Sequence, residues 1–358
     1  MNFIEVINKC KDCRECENYC SIFLSTGKYG PHEKLKIAKE ILEESEKPKK
    51  WETVFYCTKC EACDLNCPEN IPITKIIDEA RRVCVNKWGI QFPRQEILTK
   101  NIFKTGNPFG KTLSRLHWLD EPIKEKSKTL LHIGCMYSYI LPNTAKSIVK
   151  ILNKLDVDFT ISPNENCCGY FVYNTGNHTA AYKLIKNNIK EFEQYDRIIT
   201  ACAGCTIFFK QQYGLNDKVV HLIEVVDEKL KEKNIELPEI KKINAIFHDS
   251  CHISRPFDII KQPRDVLEYL GFKEGKNLKE FDLTKELGTC CGADGGMRII
   301  NKELAIKIGK ERVEEASKKA EILFTLCPFC INNFYKAMED YDIDIKIKSI
   351  FEELAHIL

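Results

Sequence analysis

The sequence predicts an α+β multidomain protein, with a mainly helical N-terminal block followed by two duplicated α/β domains. Three observations carry this prediction. First, the cysteines fall into two kinds of motif, one kind confined to the block from Met1 to about Trp88 and the other kind beyond it. Second, the chain from about Ser127 repeats itself, with matching cysteines 116 to 125 residues apart, which is the mark of a duplicated unit. Third, helical and strand periodicities alternate inside each repeat, which favours layers built on mostly parallel strands.

The N-terminal block reads as helical. Leu35, Ala38 and Ile41/Leu42 mark one helix starting after Gly30-Pro31, and Ile73, Ile77, Ala80 and Cys84 mark another. Cys84 belongs to no motif and shares that apolar face, so it is expected to be a buried free thiol acting as a small hydrophobe. A connector with Gly106, Pro108, Gly110 and Pro122 follows. Each repeat then opens with a strand-like run into a cysteine, Leu130 to Cys135 and Ile243 to Cys251. A helical stretch leads to Cys167-Cys168-Gly169 or Cys290-Cys291-Gly292. A second helix and a strand lead into Cys202 or Cys327, and a short strand and helix close each half, His221 to Leu230 and Lys348 to Leu358. In the first half, Ala145, Ile148, Leu152 and Leu155 recur at helical spacing, and Val157, Phe159 and Ile161 alternate like a strand. The expected boundaries are 1–92, a connector 93–128, then 129–238 and 239–358.

Composition narrows the function. Of 358 residues, 44% are apolar, enough for a sizeable core. The 54 basic and 52 acidic residues give a net charge of +2, without the basic excess expected of a nucleic-acid binder. No apolar run approaches the roughly 18 residues of a membrane span, so no direct membrane insertion is expected. Charged Glu5, Lys9, Lys11 and Asp12 interrupt the start, which argues against a secretory leader. The nineteen cysteines are odd in number and come as CxxC runs and Cys-Cys pairs, which crowd thiolates around metal rather than staple loops. A reducing, cytoplasmic setting is expected, peripheral to a membrane only through a partner.

The first two motifs are Cys10-x2-Cys13-x2-Cys16-x3-Cys20 and Cys57-x2-Cys60-x2-Cys63-x3-Cys67-Pro68. Three thiolates at this spacing can curl around one cubane while the fourth reaches a second cluster, the two-cluster ferredoxin pattern. The expected sets are Cys10, Cys13, Cys16 and Cys67 for one [4Fe–4S] cluster, and Cys57, Cys60, Cys63 and Cys20 for the other. Zinc is the alternative for any pair of CxxC units, but two full four-cysteine runs disfavour it. Ser21 stands where a proline usually follows the first run. The long helical insert between Cys20 and Cys57 resembles the helical ferredoxin domain of fumarate reductase and heterodisulfide reductase electron-transfer subunits.

The repeats carry five cysteines each: Cys135, Cys167, Cys168, Cys202 and Cys205, then Cys251, Cys290, Cys291, Cys327 and Cys330. Five thiolates exceed the needs of one tetrahedral metal or one cubane. Gly169 and Gly292 are expected to let backbone N–H groups approach cluster sulfur. This arrangement resembles the CCG, or cysteine-rich, domains of the heterodisulfide reductase catalytic subunit family, in the fused form with a ferredoxin module in front. The resemblance implies two noncubane [4Fe–4S] clusters in addition to two cubanes. It also implies a small-molecule disulfide cleaved reductively between the two five-cysteine sites, with the ten cysteines as the catalytic ligands. An electron-donor protein (a ferredoxin, a flavoprotein or a membrane cytochrome subunit) is the implied partner. The same architecture occurs in iron–sulfur electron-transfer subunits that serve flavoprotein oxidation of 2-hydroxy acids or glycerol 3-phosphate, and in thiol-driven fumarate reductases. This is the competing reading.

Some residues depart from that family or stand beside its motifs. His248-Asp249-Ser250-Cys251-His252 has Ser250 in place of the usual proline, and Asp294 replaces a glycine in Cys291-Gly292-Ala293-Asp294-Gly295-Gly296. His248 and His252 are candidates for hydrogen bonding or proton donation, or for a structural role in a strand-end loop. The 292–296 loop lacks the strand-to-helix context of a dinucleotide fingerprint. His132 and His221 read as structural. The Lys/Glu-rich stretches Glu43 to Lys50 and Glu228 to Lys233 read as solvated faces or docking surfaces.

Overall fold

The computed structural model describes residues 2–43 and 46–358. Its N-terminal part is helical, as expected. The helix Pro31–Glu43 buries Leu35, Ala38 and Ile41, and the helix Ile73–Trp88 buries Ile76, Ile77, Ala80 and Cys84. These two apolar stripes face each other and close the small core of the N-terminal block. Cys84 is fully buried within it, as a small hydrophobe would be.

The remainder contains two parallel sheets. Strands β1 (Thr129–His132), β2 (Arg197–Thr200) and β3 (Val219–His221) form the first, in the order β1-β2-β3. Strands β4 (Ala245–Phe247), β5 (Leu278–Lys279), β6 (Ile322–Thr325) and β7 (Lys346–Ser349) form the second, in the order β5-β4-β6-β7. All these pairings are parallel, and the strand residues are almost wholly buried, as strands covered on both faces must be. The match β1/β4, β2/β6 and β3/β7 makes the duplication physical. The expected strand at Val157 to Ile161 is reduced to one bridge, Thr160 with Leu130. It occupies the place that β5 takes beside β4, and Thr160 Oγ1 donates to the Lys124 carbonyl at 2.8 Å.

The 93–128 segment is more than a connector. It forms the helix Pro93–Thr105 and then packs against the first repeat, where the Gly106 carbonyl accepts from Cys167 N at 2.8 Å. His221 accepts from Ile223 N and caps the helix Leu222–Glu232, so its role is structural. The stretch Glu228 to Lys233 is an exposed helix end with local ion pairs such as Lys229–Glu232. In Glu43 to Lys50, Glu44 and Ser45 lie outside the described residues. Among the described residues no helix is long and apolar enough to cross a membrane.

Candidate metal centres

Each four-cysteine run is bent by the same device. Asp12 and Arg14 in the first run, and Lys59 and Glu61 in the second, adopt positive φ between 55° and 62°. Left-handed residues at these places curl the chain and turn successive N–H groups toward one concavity. They are non-glycine residues, so the fold holds some strain here. The outcome is an exchange of the fourth thiols. Cys10, Cys13, Cys16 and Cys67 line one cavity, and Cys20, Cys57, Cys60 and Cys63 line another. The first lies near the surface, with Cys13 exposed, whereas Cys57, Cys60 and Cys63 are buried.

In the repeats, the thiols gather beyond the carboxyl ends of the parallel strands, where open α/β sheets place their ligands: the Cys-Cys pairs lie on loops, and Cys205 and Cys330 lie in the first turns of the helices after β2 and β6. Cys135 and Cys251 open short helices just after β1 and β4, and Cys202 and Cys327 cap the helices after β2 and β6. A helix N-terminus favours a thiolate. Cys135, Cys167, Cys168, Cys202 and Cys205 line a single cavity. The matching pair closes in both repeats, with Cys205 Sγ 3.4 Å from Cys168 Sγ and Cys330 Sγ 3.2 Å from Cys291 Sγ.

The electrostatics repeat with the geometry. Hydrogen bonds from Cys167 and Cys205 draw the Cys168 thiol down to about 6, and those from Cys290 and Cys330 do the same for Cys291. Bonding to Cys167, together with burial, pushes Cys135 well above the ordinary thiol value, and bonding to Cys290 does so for Cys251. All nineteen thiols are free of disulfides. An all-sulfur donor set suits soft metal and iron–sulfur clusters, and five convergent thiols exceed the four that a zinc site would use. The residues therefore fit clusters.

Both CCG glycines are required by their positive φ, and Gly292 by packing as well. Gly169 and Gly292 have φ of +86° and +90°, and a Cβ on Gly292 would lie 2.6 Å from the Ala305 carbonyl oxygen. Gly292 N donates to Cys290 Sγ at 3.5 Å.

The three blocks meet at the thiols. The Cys60 thiol lies beside that of Cys290, which together with burial pushes it well above the ordinary thiol value, so the buried N-terminal group abuts the second repeat. Phe329, between Cys327 and Cys330, lines the first repeat's cavity, and Tyr137 donates to the Leu326 carbonyl at 2.7 Å. His252 joins all three blocks: its Nδ1 lies 2.9 Å from Asp294, and its Nε2 lies 3.1 Å from both the Tyr170 hydroxyl and the Lys59 carbonyl. Burial opposes its charge, but the Asp294 carboxylate and hydrogen bond outweigh that and raise it to about 10. His248 lies elsewhere. Burial, then the charge of Arg312, holds it down to about 3.

Sequence reasoning missed several residues that hold these sites. Arg81 is fully buried and donates to five backbone carbonyls, those of Val54, Phe55, Cys57, Asn174 and Gly295. It thereby ties the N-terminal block to both repeats. Gly295 packs so closely on the Cys57 carbonyl that a Cβ would come within 2.4 Å. Glu165 accepts from Ile133 N, Gly134 N and Arg115 Nε, fixing the loop that delivers Cys135. Asp249, paired with Arg264 by two bonds of 2.9 and 3.0 Å, plays the matching part before Cys251. Arg81 carried a signal as a charge on an otherwise apolar helical face, and Asp249 and Gly295 stand inside motif segments whose cysteines drew the attention; Glu165 carried none.

Comparison with known proteins agrees with this geometry. The cysteine-rich domain (CCG) matches residues 129–210 and 245–335, and the 4Fe-4S dicluster domain matches residues 6–71. The chain is 27% identical to one of the subunits of the dihydromethanophenazine:CoB–CoM heterodisulfide reductase of Methanosarcina acetivorans, over 98% of this chain and 94% of that protein. It is 24% identical to one of the subunits of the CoM/CoB fumarate reductase of Methanothermobacter marburgensis, over 96% of this chain and 71% of that one. It is 29% identical to an EtfAB:quinone oxidoreductase of Syntrophomonas wolfei, over 78% of this chain and 43% of that one. With a dicluster domain, two CCG domains and this end-to-end likeness, the chain belongs to the iron–sulfur oxidoreductase family that includes the Methanosarcina heterodisulfide reductase protein.

Proposed function

We propose that the chain reduces a small-molecule disulfide of the coenzyme M–coenzyme B type, using electrons that enter through its N-terminal domain. In this reading Cys10, Cys13, Cys16 and Cys67 hold one cubane, and Cys20, Cys57, Cys60 and Cys63 hold the other. The five thiols of each repeat hold a noncubane cluster, with Gly169 and Gly292 shaping its surroundings. The domains divide at 1–92, 93–128, 129–238 and 239–358. The clusters, when bound, supply the electrons that the reaction R–S–S–R′ + 2e⁻ + 2H⁺ → RSH + R′SH consumes.

The observation that carries this reading is the shared boundary of two full five-thiol sites. Phe329 of one repeat lines the cavity of the other, and Tyr137 reaches across to the Leu326 carbonyl. A disulfide needs a place for each of its two sulfurs, and paired sites offer it. The chain's own residues contribute position. Met136, Tyr170, Phe171 and Phe329 give the first site an apolar wall, which excludes water and favours an extended thioether or thiol chain. Electron entry at the exposed Cys13 side, and the Cys60–Cys290 contact inside, support a route from surface to the second repeat. A protein donor would dock at that exposed end.

A second reading is favoured by the likeness to a quinone oxidoreductase and to a fumarate reductase component. Here the chain passes electrons for a flavoprotein and turns over no disulfide itself. One anaerobic experiment separates the two. The purified chain is assayed for iron, sulfide and oxidation of reduced viologen with the coenzyme M–coenzyme B heterodisulfide. About sixteen irons with turnover is the expected result. The same iron without turnover selects electron transfer, and about eight irons overturns the cluster assignment of the repeats.

A further inference from the structure

The two repeats place a histidine at the same point, three residues before the first thiol: His132 before Cys135 and His248 before Cys251. Their surroundings differ. A ring nitrogen of His248 lies with Cys291 Sγ and Cys330 Sγ in a group whose atoms are all within 4.8 Å of one another, and all three residues are buried. His248 is 2% exposed, and its Nδ1 has no hydrogen-bond partner. Phe334 and Phe281 stand edge-on to the ring at 4.8 and 6.1 Å, which fixes its orientation without satisfying a nitrogen. Among the described residues, His132 belongs to no such group. Its Nδ1 and Nε2 also lack a hydrogen-bond partner, Nδ1 lying 3.6 Å from Glu165 Oε2, and its ring packs against Phe209 and Phe192, so what sets His248 apart is the pair of thiols beside its ring.

We propose that His248 is a hydrogen-bonding partner of the iron–sulfur cluster in the second CCG site, donating its ring N–H to sulfur at the Cys291–Cys330 edge, and that the first site has no equivalent. The inference rests on the cluster assignment of the proposed function. Five thiols would satisfy irons held there, which would leave the imidazole sulfur rather than iron to meet. A buried N–H left without an acceptor is costly, and sulfur of a cluster held at the Cys291–Cys330 edge would supply one. The partial positive charge of an N–H beside sulfur favours the more negative, reduced cluster, so it raises the reduction potential. The duplicated sites are therefore electronically unequal. The second, which abuts Cys60, takes electrons more readily than it would without His248. His248 is a positioning and tuning residue, and the readout is the cluster's own spectrum.

The test uses the holoprotein with ¹⁵N-labelled histidine, studied by pulsed EPR in H2O and D2O, with a potentiometric titration of each cluster signal. The expected result is a histidine-nitrogen coupling and an exchangeable-proton coupling on one CCG signal, both absent in His248→Leu. In that variant the same signal's midpoint falls while the others stay, and His248→Gln, which keeps an N–H, restores part of the shift. If His248→Leu fails to load, the labelled native protein decides alone. Full loading with no histidine coupling on either CCG signal overturns the proposal, as does a midpoint unmoved in His248→Leu. About twelve irons in the native protein, with the remaining CCG signal lost in Cys168→Ser and kept in Cys291→Ser, would show the second site empty, which removes both this inference and the cluster assignment beneath it.

Discussion

The two CCG repeats share a skeleton and differ in what is packed against it. Both gather five thiols beyond the carboxyl ends of parallel strands, and both draw the second cysteine of the pair down to about 6. The first is wrapped by the 93–128 segment, through Arg115–Glu165 and the Gly106 carbonyl. The second is wrapped by the N-terminal domain, through Cys60–Cys290, His252–Lys59 and Arg255, which donates to the Cys60 carbonyl at 2.7 Å. Duplication therefore supplied two equivalent cradles, and their neighbours made them unequal. One abuts the buried N-terminal thiols and the other does not.

Arg81 is the residue that holds this inequality in place, because it touches all three blocks. Replacing it by alanine leaves five buried carbonyls without their donor, and the expected loss is more than about 4 kcal/mol. Denaturant unfolding of the holoprotein measures it. A loss below about 1 kcal/mol would show that the blocks hold together without Arg81.

The buried ion pairs distinguish the halves more finely. Arg115→Ala should strip Glu165 of its partner and cost about 3–5 kcal/mol, and Arg264→Ala should do the same to Asp249. Each is expected to drop iron from its own half only, as read by iron content and the surviving EPR signals. Loss from both halves in either variant would mean that the two sites fold as one unit.

The pH response separates the halves again. His132 and His248 occupy matching positions, are buried neutral, and are lowered to about 4 and about 3 by burial first. Their folded values lie below the unfolded one, so the unfolded chain binds more protons as pH falls from about 6.5. Stability should decline there in both halves. His252 has the opposite sign, and only the second half has it, since Met136 and Phe171 stand where His252 and Asp294 do. Raised to about 10, it contributes stability that is full below about 6.5 and is lost as pH climbs toward 10. Asp294→Asn should remove that alkaline loss while leaving the acid one, in melting temperatures taken across pH. The smallest effect is expected for Tyr170→Phe, which removes one hydroxyl bond to His252 and should cost about 1 kcal/mol.

Much of this was legible because cysteine spacing is a geometric statement. The exchange of Cys20 and Cys67 between the two N-terminal groups follows from two offset runs, and the structure brings those thiols together in that way. The Val157 to Ile161 alternation is less informative, since a strand also needs a neighbour for its length and Thr160 finds one for a single residue pair. The 93–128 segment reads as a connector because glycine and proline dominate its signal. Its helix and its Arg115 contact depend on a repeat that begins after it.

The sequence by itself determined which thiols act together, how many groups they form, and that the second part is a duplication. These are matters of spacing, strand period and turn chemistry, written in short motifs and in their recurrence along the chain. Only the tertiary structure decided which group faces which: that Cys60 meets Cys290, that Phe329 lines the other repeat's cavity, and that His248 reaches thiols while His132 does not. Those contacts join residues far apart along the chain. They are set by how the domain surfaces pack, for which no short-range pattern exists.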